Sequence, residues 1–245
     1  MYNFLGEVLR VSYGDLCYLR RNIVSTMVST LVGPLLYLLA FGYGMRSGDS
    51  SYLTYLVPGI VAISSMNAGF SSSSQKIVIQ RLFHTSFDEL VLCPMHTSSI
   101  IFGKCVMGVV RGLIGGVIII CLGMLLTSGL HLGLWLILGM FLSSVMFSLL
   151  GVAAGLLAKN SPQLMMFNSL IILPMSFMCG TLFNVSALPS FVADVVWALP
   201  LSHSTDVLRA LATGGAYDPV SLVVLLVYVV AFYAVCHVVI RKKLY

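Results

Sequence analysis

Long apolar runs recur along this chain, and they constrain its fold more than any other feature. Each run is close to the ~20 residues that an α-helix needs to cross a hydrocarbon core of about 30 Å. The six runs are residues 23–44, 53–72, 100–127, 132–158, 164–183 and 219–240. The whole chain is 59% hydrophobic and only 9% charged. We therefore predict an all-α polytopic membrane protein with six transmembrane helices, formed by residues 1–245 as a single transmembrane domain.

Basic residues are divided unevenly between the two sides of these spans. With both termini in the cytoplasm, only Arg46 and Arg209 lie outside, and Arg111 lies shallowly within the third span, where it can reach toward the inner surface. The residues inside are Arg10, Arg20, Arg21, Lys76, Arg81, Lys104, Lys159, Arg241, Lys242 and Lys243. This bias predicts cytoplasmic termini and a multi-pass protein of the inner (plasma) membrane. The net charge of +5 favours membrane lipid over nucleic acid as a partner.

Residues 1–22 are predicted to form an amphipathic helix. Its apolar face carries Leu5, Val8, Leu9, Leu16 and Leu19, and its opposite face carries Asn3, Glu7, Arg10 and Arg21. A basic amphipathic helix of this kind is typical of the membrane interface, so we expect it to lie along the inner surface. The alternative is a helix that simply packs on the bundle.

Residues 73–99 form the largest predicted cytoplasmic loop, and they contain a short helix signal. Ser86 and Glu89 match a capping box that opens a helix at 87–92, and Pro94 follows its end. We expect this helix to dock into a groove on a soluble partner, with Phe87, Asp88 and Leu90 in direct contact. The full set of candidate coupling residues is Phe83, Ser86, Phe87, Asp88, Glu89, Leu90 and Pro94. The alternative is that the aromatic residues pack on the membrane surface.

Glycine spacing and a long external segment indicate how the helices pack. Glycines four residues apart let membrane helices approach closely, and we predict such contacts on the third and fourth spans. The glycines are Gly108, Gly112, Gly116, Gly151 and Gly155. Residues 184–218 are too apolar for an open external loop, so we expect them to form re-entrant helices packed against the bundle.

The sequence lacks the motifs of several kinds of chemistry. It contains neither the phosphate-binding pattern GxxxxGK[ST] nor the zinc pattern HExxH, and its five histidines are isolated. Its acidic residues lie at or beyond the predicted span ends, whereas secondary transporters place ionisable groups near the midplane. We predict no catalytic residue, no directly bound cofactor and no metal. The energy for transport is then expected to come from another polypeptide.

Four segments carry a resemblance to a known family. They are YLVPGI at 55–60, FDEL at 87–90 with PM at 94–95 and GK at 103–104, LPMSFMCGTLF at 173–183, and PLSHSTDVLRAL at 200–211. Together they resemble the ABC-2 family of exporter permeases over nearly the whole chain. The form that contains His203 is similar to the nodulation-type and polysaccharide-type subgroup, which includes lipo-oligosaccharide exporters.

This resemblance implies a membrane subunit that dimerises and binds two copies of a separate soluble ATPase. ATP and magnesium are then bound by that partner. The expected substrate is amphipathic: a lipid-linked glycan, a lipo-oligosaccharide or a hydrophobic drug. The resemblance also marks Pro200, His203, Asp206 and Arg209 as an external re-entrant motif. Because Asp206 and Arg209 are three residues apart, we expect them to pair on a helix and hold that segment together.

Two other classes of function stay open at this point. One is a channel or secondary carrier that transports without an ATPase. The other is an intramembrane hydrolase, because Ser202 and His203 lie close to Asp206 in the sequence, although catalytic triads are assembled by geometry rather than by sequence proximity.

Overall fold

The described part of the chain is built from helices. The computed structural model describes residues 4–44, 50–83, 86–127, 129–178, 194, 196–215 and 218–244. Every regular element within these ranges is helical, so the predicted all-α class is confirmed. In chain order they are α1 (Phe4–Arg21), α2 (Ile23–Gly44), α3 (Ser50–Leu82), α4 (Ser86–Leu92), α5 (Thr97–Leu126), α6 (Leu134–Leu157), α7 (Ser161–Phe167), α8 (Leu173–Met178), α9 (Pro200–Thr213) and α10 (Pro219–Leu244).

Five described helices, α2, α3, α5, α6 and α10, are long and apolar enough to cross a membrane. The remaining predicted span, at 164–183, corresponds to α7 and α8, which are joined by the π-helical turn Asn168–Ile172. This turn lies where Pro174 removes a backbone hydrogen bond from a regular α-helix. Residues 179–183 are outside the described part, so the count of six spans stays a prediction.

Helix α3 forms the centre of the bundle and packs against α5 and α6. Glycines make these contacts possible. A Cβ atom at Gly151 of α6 would lie 2.5 Å from the carbonyl oxygen of Phe70, and one at Gly108 of α5 would lie 2.8 Å from that of Gly69. Close backbone approach of this kind increases packing contact between helices in lipid. Cβ atoms at Gly112, Gly116 and Gly155 would also come within 3.2 Å of atoms on neighbouring helices.

The predicted polar loop at 73–99 is shorter in the structure. Helix α3 continues to Leu82 and α5 already begins at Thr97, so the connection is residues 83–96 and contains α4. The serine-rich stretch that suggested an open loop is helical, and Ser72, Ser73 and Ser74 are buried. Helices α5 and α6 cover this part of α3, and the hydroxyls of Ser72 and Ser73 donate to the carbonyl oxygens of Ala68 and Lys104. Helix α3, at about 1.5 Å per residue, is also longer than a hydrocarbon core is thick.

Candidate coupling site at the α4 end of the bundle

The candidate coupling residues are placed at one end of the bundle, which we call the α4 end. There α3 ends at Leu82, α4 spans Ser86–Leu92, α5 begins at Thr97 and α6 ends at Leu157. This is the end that the charge pattern predicts to be cytoplasmic. Because its connections to α3 and α5 are short, a partner that moves α4 acts directly on two long helices.

Phe87 anchors α4 to the bundle. Its side chain is 3% exposed and belongs to a buried cluster that includes Ile77 of α3 and Ile101 of α5. A helix of seven residues is too short to be stable alone, so this packing supports it. Phe87 is therefore an internal anchor in this structure, which corrects the hypothesis that its ring contacts a partner directly.

Apolar side chains are exposed on α4 and in the short connections on either side of it. Phe83 is 71% exposed and Leu92 is 81% exposed, and Glu89 and Pro94 are exposed beside them. We call these four residues the α4 surface. Leu90 is half-buried against the same cluster as Phe87, so it contributes more to anchoring than to this surface. Exposed apolar side chains at the predicted cytoplasmic end make these residues candidates for an interaction site.

Two predicted coupling residues are not placed by this geometry. The side chains of Ser86 and Asp88 lie outside the described part of the structure, so the capping box and the Asp88 contact stay predictions. The bounds of α4 agree with the predicted helix at 87–92 to within one residue.

A buried carboxylate connects α1 to the coupling region. Asp15 lies 3.1 Å from the Nζ atom of Lys76 on α3 and 3.7 Å from that of Lys104 on α5. The side chains of Asp15 and Lys104 are 6% and 5% exposed. Buried charges persist in proteins when they are paired, and here one acid serves two bases. Helix α1 is thus held to both long helices that flank α4.

Glu7 makes a second connection, to the linker between α4 and α5. Its carboxylate accepts a hydrogen bond from the backbone N–H of His96 at 3.2 Å and lies 3.3 Å from the His96 ring. The Ser99 hydroxyl, with the His96 N–H and ring, lowers the pKa of Glu7. His96 directly precedes α5, so Glu7 fixes the point where the loop enters that helix.

These contacts change the predicted orientation of α1. We expected Glu7 on a face turned to water and Leu19 on the apolar face, but both side chains are buried. The face that is exposed carries Leu5, Leu9 and Tyr13. The acids face the bundle because basic groups and N–H donors meet them there. The exposed apolar face is the one available to lipid, and its position at a membrane interface stays a prediction.

Arg81 fixes the neighbouring end of α6. Its Nη1 atom donates hydrogen bonds to the carbonyl oxygens of Gly155 and Leu156 at 3.0 Å and of Ala158 at 3.1 Å. The last carbonyls of a helix have no partner within the helix, and they carry its negative dipole end. One guanidinium near the end of α3 therefore caps α6, and α3, α4, α5 and α6 are joined at this end.

Comparison with known proteins identifies the family. The family model described as "ABC-2 type transporter" matches residues 14–213. The chain belongs to the ABC-2 type transporter family. The matched region includes α4, α5, α6 and the second part of α1 with Asp15, so α4 and the Asp15 contacts lie within it. As a member of this family with several apolar helices, the protein is an integral, multi-pass membrane protein.

Two kinds of protein are similar to this transporter over most of its length. It is 27% identical over 229 residues to "Inner membrane transport permease YadH" of Escherichia coli (strain K12), covering 89% of this chain and 88% of the relative. It is 26% identical over 204 residues to "Nodulation protein J" of Rhizobium leguminosarum bv. trifolii, covering 80% and 77%. It is 23% identical over 228 residues to "Nodulation protein J" of Neorhizobium galegae, covering 90% and 87%.

The motif that was predicted to be external lies on α9, which begins at Pro200. Arg209 forms the expected ion pair with Asp206, at 3.7 Å, but Asp206 is 61% exposed. The guanidinium also lies 3.6 Å from the ring centroid of Tyr55 on α3, and its Nε donates to the Tyr55 carbonyl at 3.3 Å. Arg209 thus attaches α9 to α3 mainly through Tyr55, because an exposed ion pair stabilises little.

The other polar residues of α9 have structural partners. The Ser202 hydroxyl donates to the Val196 carbonyl at 2.6 Å, and His203 is buried with Nδ1 3.3 Å from the Ser221 hydroxyl. Since Asp206 pairs with Arg209, each member of the supposed hydrolase triad is engaged elsewhere. This geometry does not support an intramembrane hydrolase.

Asp15 and Arg81 were not among the predicted site residues. A sequence signal existed for Asp15, because it follows Val11 and precedes Leu19 at intervals of four on the buried stripe of α1. An acid within an apolar stripe indicates a basic partner on a neighbouring helix. The role of Arg81 depends on where α6 ends in space, which local sequence does not specify.

Proposed function

We propose that this protein is the membrane-spanning permease subunit of an ATP-driven exporter, powered by a separate soluble ATPase that docks on the α4 surface. The observation that carries the proposal is the construction of α4. Its inner side is anchored by Phe87, whereas Leu92 on the helix and Phe83 in the connection that precedes it are exposed. A short helix that is anchored to the bundle on one side, with exposed apolar side chains available to a partner, is suited to binding in a groove on that partner.

The contacts around α4 connect the proposed docking site to the membrane-spanning helices, so movement of the partner can be transmitted to them. Helix α4 is packed against α3 and α5, and Arg81 joins the end of α3 to the end of α6. Asp15 adds α1 to the same unit through Lys76 and Lys104. We propose that closure of an ATPase pair, which binds ATP and magnesium, moves these helix ends together. Both termini then lie in the cytoplasm.

The proposed cargo is an amphipathic molecule: a lipid-linked glycan, a lipo-oligosaccharide or a hydrophobic drug. Support for a transport function comes from the relatives, which are named as a transport permease and a nodulation protein. We propose that two copies of the chain form the pathway. The faces of α2 and α7 expose large apolar groups, including Val28, Leu36 and Met165, which suits a second copy or lipid.

The proposal is tested by isolating the full-length protein from its native membrane and identifying what accompanies it. The expected result is an ABC-type ATPase in equal amount. In liposomes, the complex should move amphipathic cargo only with ATP. Flux of the same cargo by the protein alone, without ATP, would instead identify a channel or secondary carrier.

A further inference from the structure

A cavity of about 420 Å³ lies between α9 and the start of α10. Its lining includes Trp197, Asp206, Arg209, Thr213 and Asp218. The volume is within the range of about 300–1,000 Å³ that is usual for sites of small ligands. Aromatic, acidic, basic and hydroxyl side chains meet in this cavity, and the coupling proposed for α4 uses none of them.

The cavity is at the end of the bundle opposite the α4 end, where two membrane helices begin. Asp218 directly precedes Pro219, the first residue of the apolar segment of α10. Arg209 donates to the carbonyl of Tyr55, close to the start of the apolar segment of α3, and α3 runs from there to the α4 end. The cavity is therefore at or outside the membrane surface that the charge pattern predicts to be external.

The Trp197 ring is held in position while most of its surface stays open. The backbone carbonyl groups directly before and after it accept hydrogen bonds from the hydroxyls of Ser202 and Tyr228. Its ring meets the His203 ring at 79°, with 5.3 Å between the centroids, yet Trp197 is 62% exposed. An ordered aromatic ring offers a ligand a large contact area at a low cost in conformational entropy.

The polar groups around this ring include both acceptors and donors. The carboxylates of Asp206 and Asp218 supply acceptor oxygens, the Thr213 hydroxyl can act either way, and the Arg209 guanidinium supplies N–H donors. Asp218 is ordered by accepting the backbone N–H of Val220 at 3.0 Å. Because charges of both signs line the cavity, a neutral ligand rich in hydroxyl groups suits it better than a cation or an anion does.

We propose that this cavity binds a sugar ring, with a C–H face on Trp197 and hydroxyl groups on Asp206, Asp218 and Arg209. Sugar hydroxyls donate to carboxylates and accept from a guanidinium, so one ring uses both kinds of group. The C–H face of a sugar is its apolar surface, and it packs on an aromatic ring. The sugar belongs either to a free saccharide or to the head of an amphipathic molecule. The inference rests on the proposed function only where that molecule is the cargo.

The test measures ligand retention by the purified full-length protein without any ATPase, in a polyoxyethylene detergent that contains no sugar. Native mass spectrometry compares dodecyl maltoside, dodecylphosphocholine and dodecyltrimethylammonium, which carry the same apolar chain. Wild type should retain the maltoside about tenfold or more over the other two. Maltose is the competitor without a chain. Its displacement of the maltoside at equal concentration indicates a site for a free saccharide, and displacement only in large excess indicates a site for an amphipathic one.

Variants test whether the named side chains form the site. W197A should abolish the preference for the maltoside, and W197F should keep part of it because a phenyl ring still stacks. D206N should weaken the preference, because an amide accepts hydrogen bonds less strongly than a carboxylate. W135A is the matched control, since Trp135 is the other tryptophan of the chain and is 71% exposed. Unfolding midpoints show whether each variant is folded.

Three outcomes would overturn the inference. The first is equal retention of the three amphiphiles by wild type, a result that needs no variant to fold. The second is stronger retention of dodecyltrimethylammonium than of the maltoside, which would show a site for a cation. The third is a preference that survives in folded W197A or disappears equally in W135A, because Trp197 would then be an aromatic residue of the membrane interface only. Because no ATPase is present, these results are independent of whether the protein binds one.

Discussion

Asp15 joins three helices through one buried carboxylate, because it pairs with Lys76 on α3 and Lys104 on α5. Removing one partner of a buried ion pair leaves the other charge uncompensated and costs about 3–5 kcal/mol. We therefore expect Asp15→Asn to lower the thermal unfolding midpoint of the detergent-solubilised protein clearly. Adding Lys104→Met to the same chain should restore part of the loss.

The matched control for this change is Glu89→Gln. It removes the same charge from an exposed position on α4 and should alter stability by no more than about 0.5 kcal/mol. Equal unfolding midpoints for Asp15→Asn and wild type would show that the buried pair does not hold α1.

The packing of α1 against the bundle should depend on pH, because it involves the ionised carboxylate of Glu7. Its contacts with Ser99 and His96 lower its pKa below the ordinary value of 4.5. A lowered folded-state pKa stabilises the fold above the unfolded value, and the contribution is lost as the pH falls through the folded value. The difference in unfolding midpoint between wild type and Glu7→Gln should thus be present at neutral pH and vanish well below pH 4.5. A difference in unfolding midpoint between the two proteins that stays the same at every pH would contradict this role.

Single-residue roles were only partly predictable from sequence. The Asp206–Arg209 pair follows from helical spacing, which is local, and it is present in the structure. The stronger contact of Arg209 with Tyr55 joins residues 154 positions apart, so spacing gave no sign of it. Glu7 was expected in water because its helix is amphipathic, but the position of His96 relative to α1 depends on tertiary packing.

Helix α4 depends on its anchor more than on its own hydrogen bonds. Replacing a buried Phe by Ala commonly costs about 3–5 kcal/mol, and Phe87 is the buried aromatic residue of this seven-residue helix. We expect Phe87→Ala to abolish the hydrogen-exchange protection of α4 while the long helices keep theirs. Association with the ATPase should fall as well, because the α4 surface is no longer held in position.

Leu92→Ala on the same helix is the control for this experiment. Leu92 is exposed, so its truncation should leave the exchange protection of α4 unchanged. Full protection of α4 in Phe87→Ala would mean that burial of this ring does not hold the helix.

The bounds of a helix were predicted best where the sequence pattern that sets them is local. The capping pattern and Pro94 give the bounds of α4 to within one residue. The extent of α3 was underestimated because its serine-rich stretch is polar, and polarity was taken as the end of the membrane span. In the structure α5 and α6 bury these serines, which is a consequence of glycine contacts between distant segments.

For the whole molecule, the recurrence of apolar runs was enough to predict an all-helical membrane protein. The order of contacts, with α3 at the centre and α1 tied to the α4 end, required the structure. In this arrangement the ion pairs that join different helices in the described part of the chain lie at the end where the partner is proposed to dock. The spans beyond them are held by a buried cluster of large apolar side chains and by close contacts at glycines.

The most direct test of this account is the association of the ATPase with a double variant, Phe83→Asp/Leu92→Asp. Both side chains are exposed, so the unfolding midpoint should not change, while co-purification of the ATPase should fall to background. Leu132→Asp, a change at an exposed apolar residue in the connection between α5 and α6, should leave co-purification intact. ATPase recovered in full with a folded Phe83→Asp/Leu92→Asp protein would contradict the claim that α4 is the docking site.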